Sequence, residues 1–302
     1  MSTDPRPRVV LVDGVPMSAL VASVPEPRAV IVAIHGGATS AAYFDCPGHP
    51  RLSLLRLAAT HGYTAIALDR PGYGASALYA DELNDPERRV ALAHGAVDKI
   101  VGDGGRGAGG FLLAHSAGCE LALRMAVAES GSDVIGVELA GTGLRYSPDA
   151  KSVISEATVT SRPAGLRELL WQPVELYPPE VLTGGLSAPG VAYESNVTTN
   201  WARRDFPELA ARVRVPVEFS VSDHERVWES TPESLAAISA LFTAAPRVVI
   251  NEMADSGHNL SVGLTAEIYH KQVLSFIEEC IAAMRDREPK YGDSRHEEVE
   301  AG

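Results

Sequence analysis

The sequence predicts an α/β fold, a mostly parallel sheet covered by helices on both faces. Three observations carry this. Short β-branched runs alternate with helical patterns over most of the chain, which is the sign of βαβ units. Two further runs at the amino end are joined by a tight turn, as antiparallel strands are. The alternation breaks once, between about 145 and 213, and then resumes.

In order, "RVVLV" and "ALVASV" read as the antiparallel pair around the turn "DGVP", and "RAVIVAI" (28–34) as the first strand of the alternation. Helical spacing in "RLSLLRLAATHG" leads to the strand "TAIALD" (64–69). The helix "PERRVALAHGAVDKIVG", the strand "GFLLAH" (110–115), the helix "AGCELALRMAVAES" and the strand "VIGVELA" (134–140) follow. Residues 145–213 contain no clear strand but several aromatics, and read as a helical cap inserted between two sheet strands. The strand "VPVEFSV" (215–221), a helix near 231–244, the strand "RVVINEM" (247–253) and the helix "TAEIYHKQVLSFIEECIAAM" complete the pattern. The expected division is therefore a core of 1–144 and 214–286, a cap of 145–213 and a disordered acidic tail of 287–302.

Composition narrows the function. Of 302 residues 45% are hydrophobic and 22% charged, enough for a core that encloses a site. A net charge of −13 argues against nucleic acid and anionic membrane surfaces, which need clustered Lys and Arg. "MSTDPRPRVV" has no apolar h-region and no stretch reaches the length of a membrane span, so a cytoplasmic protein without membrane insertion is expected. "NVT" (196–198) and "NLS" (259–261) are then not glycosylation sites. Cys46, Cys119 and Cys280 are scattered, form no disulfide framework, and read as small apolar fillers in a reducing compartment.

Two motif matches fail on context. "GDGGRG" (102–107) fits G-x-G-x-x-G but follows a helix and enters a strand, the reverse of a dinucleotide site. "HERVW" lacks the second histidine of a zinc motif. No metal and no cofactor are expected.

The chemistry gathers at strand ends. Ser116 lies where a strand becomes a helix, with Ala114 two residues before it and Gly118 two after. Small neighbours suit a sharp turn that displays the hydroxyl, and the pattern is G-x-S-x-G with alanine in its first position. A helix-capping serine is the plain alternative. A nucleophilic serine needs a base. His115 points to the opposite face of its strand, so His258, in the loop "NEMADSGHNLS", is the candidate, with His35 next. The base needs an acid, and "VEFSVSDHERVW" offers both Asp223 and Glu225 after its strand. For an oxyanion, "VAIHGGATS" offers the N–H of Gly37, with Ala38 in reserve, and the helix start offers the N–H of Ala117.

These motifs together resemble the α/β-hydrolase superfamily over roughly 8–285: "HGG", "LDRPGYGAS", "AHSAG", an acid loop and a histidine loop, in that order. The resemblance implies an eight-stranded, mostly parallel sheet with a Ser–acid–His triad. Laying "SDHE" on the family's G-x-x-D places Glu225 at the acid position, with Ser222 for Gly and Glu for Asp as departures, and leaves Asp223 in reserve. It implies a serine hydrolase acting on a small acyl substrate, an ester or thioester. C–C bond hydrolysis, acyl transfer and a non-catalytic binder of hydrolase ancestry are the alternatives. Trp171, Tyr177, Tyr193, Trp201 and Trp228 are candidates to line the acyl pocket, although such aromatics often pack a cap onto a core. Arg203 and Arg204 read as a solvated helix face. Oligomeric state is left open.

Overall fold

Asp13 and Gly14 supply the two positive-φ residues (46° and 80°) of a tight hairpin. They join β1 (Arg6–Val12) to β2 (Val15–Ala22) in antiparallel register. The computed structural model describes residues 4–46, 48–156 and 163–287. After the hairpin come β3 (Val30–Ile34), α1 (Leu54–Thr60), β4 (Thr64–Leu68), α2 (Pro86–Val101), β5 (Gly110–His115), α3 (Gly118–Val127) and β6 (Val134–Ala140). Four helices precede the next strand: α4 (Pro148–Glu156), α5 (Leu166–Trp171), α6 (Tyr193–Asn200) and α7 (Phe206–Ala210). The chain closes with β7 (Val217–His224), α8 (Pro232–Leu241), β8 (Val248–Gly257) and α9 (Ala266–Arg287).

The eight strands form one sheet in the order β1-β2-β4-β3-β5-β6-β7-β8. All pairs from β4 to β8 are parallel, and β2 pairs antiparallel with β4. Strands β3, β4, β5 and β6 are buried along their whole length, as strands covered on both faces must be. Leu112 and Ala114 of β5 pack with Leu92 of α2, Leu121 of α3 and Ile238 of α8. Phe111 and Leu113 face the other way, with Leu55 of α1 and Ile277 of α9.

Local chemistry sets the helix ends. The Asp85 carboxylate accepts from the N–H of Glu87, Pro86 opens α2, and Gly102 closes it at φ 56°. "GDGGRG" is therefore the α2–β5 turn. Ser53 and Thr231 cap α1 and α8 in the same way. Strand β8 runs to Gly257, past the loop expected from "ADSG". The Asp223 carboxylate accepts the N–H groups of Asp255 (2.9 Å) and Ser256 (3.0 Å), which holds an irregular stretch of the strand where Asp255 takes φ 50° and the register with β7 shifts. Between β6 and β7 the described residues form helices and one isolated bridge, Tyr146 to Trp228. Phe206, Leu209 and Ala210 of α7 belong to the same apolar cluster as the strands. The tail expected to be disordered lies, from 288 onward, outside the described residues. Among those residues no helix is long and apolar enough to cross a membrane.

Glu138 and Glu218 are register partners on β6 and β7, and both are buried. The Tyr269 hydroxyl donates to Glu138 Oε1 at 3.0 Å. Burial raises both carboxyls above the ordinary glutamate range, and the Glu218 charge raises Glu138 further. Glu218 is pushed up to about 7. The unfolded chain loses these protons in the ordinary range, so their stabilisation is complete below it and is lost as pH rises through the raised values. Glu218→Gln, which keeps the shape without the titration, is expected to flatten the fall in Tm between about pH 5 and about pH 8. Calorimetry at the two pH values checks this, and an unchanged slope would count against a shared proton.

Candidate active site

Chain order and sheet order diverge at β3. The chain moves from β3 outward to β4, then returns past β3 to β5 on its other side. Connections that leave in opposite directions open a crevice at the carboxyl ends of β3 and β5, and "HGG" and "AHSAG" meet there. Ser116 holds φ at 52°, a strained backbone of the kind a nucleophile elbow requires, and its N–H is tied to the Ala140 carbonyl at 2.8 Å. Gly118 makes the turn possible, because a Cβ there would lie 2.5 Å from the carbonyl oxygens of Ile34 and His35. Ala114 is fully buried in the apolar cluster, where its methyl is accommodated.

His258 and Glu225 meet at the ends of β8 and β7. His258 Nδ1 lies 2.9 Å from Glu225 Oε2 and 3.1 Å from Oε1, with both side chains almost fully buried. A carboxylate only accepts, so Nδ1 carries the proton and Nε2 presents its lone pair. The N–H groups of Val227 (2.7 Å) and Trp228 (3.4 Å) hold Glu225 Oε1. The reserve acid, Asp223, is spent on the β8 backbone and is half-exposed. His115, set aside as a base, donates from Nε2 to the His258 carbonyl at 2.9 Å and stacks on Tyr43. Burial, reinforced by His258, lowers His115 to about 3, so it is neutral near pH 7.

The loop after β3 is held by its own residues. The N–H of Arg70 can only donate, so His35 Nε2 (3.0 Å) is an acceptor and His35 Nδ1–H donates to the Gly36 carbonyl at 2.8 Å. Burial first, then Arg70, holds His35 well below its ordinary range, which agrees with a neutral ring. His35 is thus a scaffold for the loop. The Ala38 N–H, the reserve oxyanion donor, is occupied by the Tyr73 hydroxyl at 3.0 Å. Among the described residues the N–H groups of Gly37 and Ala117 have no protein acceptor.

Ser116, His258 and Gly37 open onto a cavity of about 490 Å³, within the usual range for a small-molecule site. Its outer wall comes from residues 163–187, including Leu166, Leu170, Trp171 and Leu182. Of the five candidate aromatics, only Trp171 lines it. Tyr177 is buried behind the wall, with its hydroxyl accepting from the N–H of Asn259. Tyr193 donates to the Pro71 carbonyl and lies under Arg89, Trp201 donates to Thr142, and Trp228 to the Gly141 carbonyl. Each of these four has a polar handle that finds its partner in the core, so they anchor the segment. Arg203 and Arg204 are exposed and line no part of the cavity.

Residues 31–267 match the alpha/beta hydrolase family. The chain belongs to that family. Solved alpha/beta folds similar to this hydrolase include a highly thermostable carboxyl esterase from Bacillus coagulans (TM-score 0.64, 17% identity, covering 93% of this chain and 100% of that one). A thioesterase domain from the curacin biosynthetic pathway matches at TM-score 0.60 and 18% identity over 89% and 99% of the two chains. A membrane phospholipase A, a bacterial virulence factor, matches at 0.68 and 16% over 92% and 87%. No curated protein matches the hydrolase by sequence.

Four residues of the hydrolase that bear on the site escaped sequence reasoning in their roles: Arg70, Tyr73, His115 and Glu194. The first two stand in "LDRPGYGAS", where the glycines mark a turn and nothing marks a loop-holding cation. Glu194 carries no local signal, because its partner Arg70 is 124 residues away.

Gly118→Ala is expected to cost about 1–3 kcal/mol of unfolding free energy by forcing backbone apart at the elbow. Denaturant titration reads this as a lower midpoint, and an unchanged midpoint would contradict the close approach.

Proposed function

We propose that this hydrolase cleaves a carboxylic ester or thioester through an acyl-enzyme on Ser116. The carrying observation is the buried His258–Glu225 pair, with its free Nε2, opening onto the same cavity as a serine strained at the end of β5. Ser116 Oγ attacks the carbonyl while His258 Nε2 takes its proton. Glu225 keeps the tautomer and stabilises the imidazolium. The N–H groups of Gly37 and Ala117 receive the oxyanion, the latter at the start of α3 where the helix dipole also favours negative charge. His258 then protonates the leaving alcohol or thiol, and water, deprotonated by the same nitrogen, releases the acid.

Residues 163–187 act as the acyl-facing wall of a cap in this reading. The wall is largely apolar, and the exposed Arg167 spends its guanidinium on the Leu182 carbonyl, so the cavity suits a neutral acyl group. The esterase, thioesterase and phospholipase among the similar folds support carboxylic acyl chemistry.

A fluorophosphonate probe is expected to label the chain, and Ser116→Ala to abolish both labelling and p-nitrophenyl ester turnover. Turnover retained in that variant sinks the assignment. Glu225→Gln is expected to lower kcat by about 10³–10⁴-fold, whereas Asp223→Asn leaves it within about twofold; the reverse ranking would move the acid to Asp223. Trp171→Ala enlarges the wall and is expected to shift preference toward longer acyl chains, read from kcat/KM over an ester series.

A further inference from the structure

The peptide between Gly36 and Gly37 carries the proposed oxyanion donor, and its orientation is over-determined. A trans peptide points its C=O and N–H in opposite directions. Two donors grip the Gly36 carbonyl, His35 Nδ1 at 2.8 Å and Arg70 Nη2 at 2.9 Å. Their grip aims the Gly37 N–H the other way. His35 is locked by its own bond from the Arg70 N–H, so both donors depend on where Arg70 lies.

Arg70 in turn is held from across the chain. Its buried guanidinium lies over the Tyr73 ring, 4.7 Å from the centroid, and forms an ion pair with Glu194 of α6. Burial opposes the charge of Arg70, and the Glu194 carboxylate, with Tyr193 and Tyr73 beside it, together outweighs that cost. The start of α6 is itself fastened: Tyr193 donates to the Pro71 carbonyl at 2.7 Å, and the Arg89 guanidinium lies over the Tyr193 ring at 4.2 Å. A Cβ on Gly37 would stand 3.4 Å from Glu194 Oε1, so the carboxylate borders the loop itself.

We infer that Glu194 is a positioning residue for the oxyanion site, acting through Arg70 to aim the Gly37 N–H. The segment between β6 and β7 thereby reaches the reacting centre from behind, as well as walling the cavity. A group that acts only on the aim of an oxyanion donor affects the transition state and leaves ground-state binding alone. The effect belongs in kcat and in the affinity of a trifluoromethyl ketone, whose serine adduct carries the oxyanion.

The inference rests on the reading of Ser116 as nucleophile, which fluorophosphonate labelling of the unaltered chain tests by itself. Glu194→Ala removes the anchor and is expected to lower kcat about tenfold, less than the loss of a whole oxyanion donor, with KM within about twofold. Trifluoromethyl ketone affinity is expected to fall by a similar factor. Glu194→Gln keeps an acceptor for the guanidinium and is expected to lose no more than about threefold. Labelling together with wild-type kcat and inhibitor affinity in Glu194→Ala overturns this inference alone. A loss confined to KM, or an equal loss in the alanine and glutamine variants, overturns it as well. Should Glu194→Ala fail to fold, Arg70→Lys, which keeps the charge but loses the forked donors, carries the same expectation. Unchanged inhibitor affinity there overturns the inference.

Discussion

At the site, backbone meets backbone: the Cα of Gly118 stands against the carbonyl oxygens of Ile34 and His35. That contact sets the distance between the start of α3 and the end of β3. It requires the parallel pairing of β3 with β5, in which Ile34 lies opposite Ala114, and it requires no side chain at position 118. Given both, the N–H of Ala117 and the loop carrying Gly37 open on the same crevice. The rest of the site is arranged around that gap. Strands β7 and β8 bring Glu225 and His258 to its edge, and the helices between β6 and β7 close its outer side.

Buried polar groups are costly unless they find partners, and several around this gap find them. His35 uses both ring nitrogens, Ala38 gives its N–H to Tyr73, and Ser116 gives its own to Ala140. Among the described residues the amides of Gly37 and Ala117 have no protein acceptor, and the buried Arg70 Nε and His115 Nδ1 have no partner either. His115 serves the same economy differently: as a neutral ring it ties down the His258 carbonyl and adds no competing charge. A site prearranged in this way needs little reorganisation when charge develops.

The sheet was legible because its signal is local. Periodicity and turn residues recur every few positions, and every strand read from the sequence is present. The ends were less so. Strand β8 outlasts its apolar run because Asp223, on the neighbouring strand, accepts from two of its amides, and no reading of "ADSG" alone contains that partner. Ser116, His258 and Glu225 were legible through order along the chain, and His258 and Glu225 are brought into contact. The aromatics misled for a physical reason. Hydrophobic residues in an inserted segment must bury themselves somewhere, and Tyr177, Tyr193 and Trp201 do so by a hydrogen bond or a stacked cation that composition does not reveal, as Trp228 does just after β7. Arg70 and Glu194 were illegible because an ion pair between distant residues leaves no periodic trace.

The aromatic anchors fall at 177–228, whereas the cavity wall comes from 163–187. Attachment to the core and the cavity wall are therefore largely written in different stretches of the chain. The wall contains the side chains of Leu166, Leu170 and Leu182, which meet the cavity, while only the backbone carbonyl of Leu170 reaches the histidine loop, accepting from Asn259. Drift among those leucines reshapes what enters while leaving the machinery beneath intact. That separation is the property by which one scaffold diversifies, and it marks 163–170 as the stretch to exchange when retuning the enzyme.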